Sequence, residues 1–232
     1  MRILPFRTKY LRQAHLKMAA VFAVLFLTAV LAFPGPGATW AETIIRYESI
    51  PGKSRVVLSG KSTLHDWGAE STVIHGRMEV RLTEGTDLPA LMKSFDLCRL
   101  AYVDVKVAIP ITSLRADSEE LEERMCHKLN YEKHPKIHYA FDTAEQRECL
   151  EVSEYMFDTM GKLTVNGVTR PVAMNVIIQS LYEGQLYIQG STTLKMTDLN
   201  IKPPSLLCGI VKADDEIRIH IWWAVRRVDG NM

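Results

Sequence analysis

The stretch Gly60-Lys61-Ser62-Thr63-Leu64-His65-Asp66-Trp67 carries the densest polar and aromatic cluster in the chain. A neighbouring imidazole and carboxylate can hold a divalent metal, or act as a base and its orienter. On a strand, however, adjacent side chains leave opposite faces, so His65 and Asp66 share a site only where the backbone bulges. The pattern fits better with His65 or Trp67 lining an opening, or with Asp66 capping a turn. Cys126, His127, His134 and His138 are also metal-capable, but their spacing forms no compact ligand set, and His138 falls on the polar face of its strand. There is no Gly-x-Ser-x-Gly elbow, phosphate loop or His-Glu-x-x-His motif. These residues therefore point to neither a catalytic nor a metal centre.

The segment that must position any site is the hairpin Gly161 to Val176. Asn166-Gly167 between two alternating runs signals a two-residue type I′ turn, because both central residues need positive φ. Pairing Val165 with Val168 puts Leu163, Val165, Val168, Arg170, Val172, Met174, Val176 and Ile178 on one face, with Lys162, Thr164, Thr169, Ala173, Asn175 and Gln179 on the other. A hairpin packed on a solid core and a wall facing a ligand fit this stretch equally well.

The first 41 residues differ from the rest. Arg2, Arg7, Lys9, Arg12 and Lys17 precede an uncharged apolar run from Met18 to Phe33, then Pro34-Gly35-Pro36-Gly37 and the small-residue stretch ending at Ala41. That order predicts a secretory signal peptide cut after Ala41, since the run is short for a bilayer span of about 20 residues. Cleavage leaves 191 residues, enough for one β-domain, and no stable transmembrane span is expected. It also takes the formal charge from +1 to −4, so nucleic-acid binding is not expected. The expected location is periplasmic or secreted. There, Cys98, Cys126, Cys149 and Cys208 allow three full disulfide pairings among which the sequence does not choose.

From Thr43 onward a period of two dominates. Ile44 to Tyr47 and Ser54 to Leu58 are strand candidates broken by Pro51-Gly52. Ile74, Gly76, Met78, Val80 and Leu82 share one face of a long strand, and Ala101, Val103, Val105, Val107 and Ile109 share another. Ser118 to Leu129 reads as the one helix, with Asp117 as its cap, Glu120 reaching back, and Leu121, Met125 and Leu129 as a narrow apolar stripe. Further strands are expected at Ile137-Tyr139-Phe141, Cys149 to Tyr155, the hairpin, Leu186 to Ile188, Gly190 to Met196, and a closing run in which Ile217, Ile219, Ile221 and Trp223 alternate. Eight to ten strands of this kind can remove their edges by closing. An eight-stranded antiparallel barrel holds either a filled core or one slim ligand.

Four stretches resemble the YceI-like family of exported, lipocalin-like barrels. They are Gly60 to Trp67 continued by Ile74-His75-Gly76; Val107 to Ser118 with the helix behind it and Lys133 to Ile137; the hairpin, with its Gly-x-Leu-Thr-x-Asn-Gly-Val-Thr-Arg-Pro-Val pattern; and Met196 to Pro204 with Ala213 to Ile217. The resemblance implies an all-β, eight-stranded antiparallel barrel over residues 42–232, with one helix inserted between central strands and a long apolar cavity. The family's characterised members bind polyisoprenoid or other long amphiphilic chains. On that implication Met78, Val103, Val105, Val107, Phe141, Val165, Met174, Val176, Ile219 and Ile221 line the ligand chain. Arg170, His65 and Trp67, near the mouth, select its head group. The implied partner is an isoprenoid or other amphiphilic lipid, such as a quinone or polyprenol, with no other cofactor; a homodimer is left open. The four cysteines and the segment Leu88 to Leu100 depart from the pattern. The rival reading is an envelope interaction module with a solid barrel, and an exported enzyme using His65 or Asp66 ranks behind it.

Overall fold

The structure is a computed structural model that describes residues 43–82, 100–151, 154–181, 184–206 and 211–228. The expected leader, Cys98, Cys208 and the segment 88–99 lie outside the described residues, as does the side chain of Cys149.

Among the described residues there are twelve strand segments, eleven of which form eight staves of an antiparallel barrel. They are β1 (Thr43–Ser49), β2 (Arg55–Ser62), β3 (Trp67–Ser71), β4 (His75–Leu82), β5 (Leu100–Pro110), β6 (Arg115–Ala116), β7 (Lys136–Glu151), β8 (Glu154–Val165), β9 (Val168–Ser180), β10 (Gln185–Lys195), β11 (Ser205–Leu206) and β12 (Val211–Val228). β1 and β2 lie end to end along one edge of β12, so together they make the first stave; β3 with β4 and β5 with β6 make the second and third. From β7 on, each stave except the last pairs with the next in chain order, and β12 returns to β1 and β2 to close the ring. β11 is a short pendant on β12.

The broken staves are held by buried serines, a feature the alternation gave no sign of. At Pro51-Gly52, where Gly52 takes φ +72°, the Ser54 hydroxyl accepts from the Ala224 amide at 3.2 Å. At the next break Ser71 is bonded to the Ser113 hydroxyl at 2.7 Å and accepts from the Val73 amide at 3.0 Å. Each hydroxyl satisfies groups that the interrupted ladder leaves in the interior.

The helix α1 (Glu119–Lys128) enters between β6 and β7. Its cap is Ser118, whose hydroxyl accepts from the Leu121 amide at 3.2 Å, not Asp117. Glu120 pairs with Arg124 at 2.6 Å instead of reaching back, and Glu122 takes the Ala116 amide at 3.0 Å. Ser118 has the extended backbone a cap requires (φ −148°), which moves the start one residue later than expected. The single strand expected over Cys149 to Tyr155 is in fact two. β7 runs to Glu151 and β8 starts at Glu154, with those two residues paired.

The central hairpin has the register read from the sequence, Val165 opposite Val168 through Thr159 opposite Met174. Asn166 and Gly167 take φ of +52° and +74°. A Cβ on Gly167 would also stand 2.7 Å from the His134 ring. Gly167→Ala is therefore expected to cost about 1–3 kcal/mol, read as a lower urea midpoint at unchanged slope.

The core is not uniform along the barrel. The end away from α1 is packed solid by Tyr47, Val80, Tyr155, Phe157 and Val225, of which Phe157 and Val225 are wholly inaccessible. Toward α1, a second cluster of Leu163, Val165, Val172, Leu199 and Ile217 forms a collar instead of a plug.

Candidate functional site

Within the collar and below it lies a cavity of about 1000 Å³, at the upper end of the range for small-molecule sites. Four glycines of the wall are each covered by a long side chain. Trp67 lies flat against Gly60, Trp223 against Gly76, Tyr139 against Gly161 and Met174 against Gly190, each so close that a Cβ on the glycine would collide with the covering side chain. These long side chains run along the wall, where the missing Cβ leaves room, instead of projecting toward the axis. Large residues thus cover the sheet without filling the lumen.

Twelve of the thirteen residues singled out from the sequence line this cavity. Met78, Val103, Val105, Val107, Phe141 and Val165 do so, with Met174, Val176, Ile219 and Ile221; His65 and Trp67 stand nearer the mouth. Arg170 does not. It lies on a rung where β9 and β10 no longer pair, facing the 3-10 turn Met196–Leu199, and its Nε donates to the Asp198 carbonyl at 2.8 Å in an exposed position. The alternation put it on the inner face, but the guanidinium turns instead to the Asp198 carbonyl at the surface.

His65 and Asp66 make no shared site. Residues 63–66 form a turn, with the Ser62 hydroxyl accepting from the His65 amide at 3.2 Å and donating to its carbonyl at 2.6 Å. The imidazole Nδ1 lies 2.8 Å from the Asp66 backbone oxygen, not from its carboxylate. Among the described residues no group of three His, Cys, Asp or Glu is placed to hold a metal. Cys126 is a half-buried free thiol, its pKa raised by burial and by the neighbouring Glu122 carboxylate.

The polar atoms of the wall are placed unevenly. Trp223 Nε1 donates to the Ser49 hydroxyl at 2.7 Å, and that hydroxyl donates to the Gly76 carbonyl at 3.3 Å. Trp67 Nε1 is turned into the wall beside Gly60 and has no hydrogen-bond partner among the described residues. Deeper in, the Tyr139 ring lies against Gly161, and the Thr159 hydroxyl donates to the Met174 carbonyl at 3.0 Å. Burial raises the Tyr139 pKa, only partly offset by the neighbouring Thr159 hydroxyl. Tyr139 was legible as an inward residue between Ile137 and Phe141, whereas nothing in the sequence pointed to Thr159.

The mouth is covered by α1. Leu121, Met125 and Leu129 line the cavity, but no residue of the helix is buried. Glu120, Arg124, Lys128 and Lys202 stand around the opening. Near the start of β12, Asp215 accepts from the Thr197 hydroxyl at 2.6 Å and its amide at 2.9 Å, which holds the carboxyl below its usual pKa. A helix with so little burial opens at low cost. Its amides are expected to exchange with deuterium far faster than those of β8 and β9, and to slow when a ligand fills the space beneath the stripe. Equal protection of α1 and the hairpin would contradict this.

A family model described as the YceI-like domain matches residues 47–223. Among solved structures, Burkholderia cenocepacia BcnA is similar with a TM-score of 0.57 at 14% identity, over 76% of this chain and 98% of that one. A polyisoprenoid binding domain from Saccharophagus degradans, implicated in plant cell wall breakdown, is similar with a TM-score of 0.55 at 10% identity, over 78% of this chain and 98% of the other. At these identities the likeness is one of fold. No curated protein matches the chain in sequence.

Proposed function

Because the chain belongs to the YceI-like family, we infer that it is an exported carrier that holds one isoprenoid or similar long amphiphile in its barrel and does no chemistry on it. The observation that carries this reading is the apolar cavity of about 1000 Å³ in place of a solid core. A solid-barrel interaction module has no use for such a space. The likeness to a polyisoprenoid binding domain supports a lipid ligand, and the basic-then-apolar leader supports export.

Each methylene transferred from water contributes about 0.8 kcal/mol, so ten carbons give roughly 8 kcal/mol before ordering costs. Affinity then comes from chain length, with no strong polar contact needed. The full chain, expressed with its own leader and purified without detergent, should be titrated with prenyl alcohols of increasing length. Affinity is expected to rise about tenfold or more per isoprene unit until the cavity is full. Affinity independent of length, or no binding at any length, would exclude the carrier reading. A prenyl alcohol recovered chemically changed would instead favour an enzyme.

A further inference from the structure

β9 and β10 separate before either strand ends. Their pairing runs from Leu186 opposite Ser180 to Ser191 opposite Asn175 and stops there, although β9 stays on β8 as far as Val168 and β10 stays on β12 as far as Lys195. Toward the mouth the seam between them is closed by the 3-10 turn, through the bond from Arg170 to the Asp198 carbonyl. Below that, the Thr192 hydroxyl donates to the Ala173 carbonyl at 2.7 Å in place of a ladder bond. Pro171, two residues along and so on the same edge of β9 as Ala173, has no N–H to leave unpaired there. On the inside, Met174 crosses the seam and lies against Gly190 of β10. Thr159, Met174 and Thr192 line both the cavity and a groove on the outer face, so the two spaces meet at these residues. In that groove the exposed Met160 and Ala173, opposite one another on β8 and β9, form an apolar lip, with Thr193 across the seam.

We propose that this seam is a second entrance to the cavity, through the side of the barrel, by which the hydrocarbon chain of an amphiphile passes, with Met174 as its shutter and the Thr192 hydrogen bond as its latch. This rests on the carrier reading and adds a route to it. Opening a paired length of wall breaks consecutive backbone hydrogen bonds between strands. Opening this seam breaks one side-chain bond and turns one methionine, whose unbranched side chain has three rotatable bonds. A chain arriving along the lip of Met160 and Ala173 meets Met174 next, and behind it Val172 and Val176 of the cavity wall. The contact is apolar at each stage. The polar end of the amphiphile stays outside throughout and never crosses the lumen.

The test follows uptake of an anthraniloyl-tagged farnesol by the full chain, and its release into an excess of unlabelled farnesol. Thr192→Val removes the latch at nearly constant volume and should speed both uptake and release about two- to tenfold, the yield of one neutral hydrogen bond. Thr192→Ser keeps the hydroxyl and should exchange at the wild-type rate. Thr193→Trp fills the groove from outside and should slow uptake and release severalfold by the same factor, leaving the affinity unchanged, because a barrier on the route alters neither end state. Exchange rates that neither Thr192→Val nor Thr193→Trp changes, in proteins that melt as wild type does, overturn the side entrance while leaving the carrier reading intact. Faster release from Thr192→Val with no faster uptake overturns it too, since the hydroxyl would then hold the ligand and not the seam. Failure of the wild-type chain to bind either the tagged or the unlabelled farnesol overturns both.

Discussion

Val105→Trp combined with Val176→Trp should abolish useful binding of a prenyl chain without unfolding the protein. The two valines line the cavity from different walls, on β5 and β9. Indoles there enter open space, so the strain of overpacking that a solid core would impose is small. Displacing four methylenes of chain at about 0.8 kcal/mol each removes ~3 kcal/mol, a loss of at least about a hundredfold in affinity. The melting temperature of the ligand-free protein should move by only a few degrees. A large drop in stability with binding retained would mean that the space is filled by side chains in solution.

Trp223→Ala should have the largest effect on folding. Trp223 is 3% exposed, covers Gly76, and joins β12 to β1 through Ser49. Its loss leaves a cavity beside a glycine that has no side chain to fill it. The expected cost is about 3–5 kcal/mol, or roughly 6–20 °C in melting temperature for a domain of this size. Trp223→Phe keeps most of the cover and should cost markedly less. If Trp223→Ala were nearly neutral, the ring would not be closing the wall at Gly76.

The parts of this architecture that repeat with a short period were legible in the chain. Val165 opposite Val168 followed from Asn166-Gly167 alone, and the inward valines and methionines followed from alternation once that register was set. What alternation cannot convey is how far a side chain reaches toward the axis. Tyr139, Trp223 and Met174 read only as inward positions, yet each lies against a glycine of the wall, on the neighbouring strand for Tyr139 and Met174 and two strands away for Trp223. Arg170 shows the opposite failure. Its parity was inward, but the ladder between β9 and β10 stops at Asn175 and Ser191, and beyond that point parity no longer fixes the direction of a long polar side chain. The helix cap shifted for a local reason of the same kind, since Asp117 and Ser118 are both good caps and only the backbone geometry chooses between them.

The central claim is that the barrel carries a single long amphiphile. The direct measurement is mass spectrometry of an organic extract of the protein, expressed as the full chain and purified without detergent from the compartment it reaches. A roughly stoichiometric species whose masses step by isoprene units is the predicted result. An empty extract, from protein whose melting temperature does not respond to added quinones or prenyl alcohols, would contradict it.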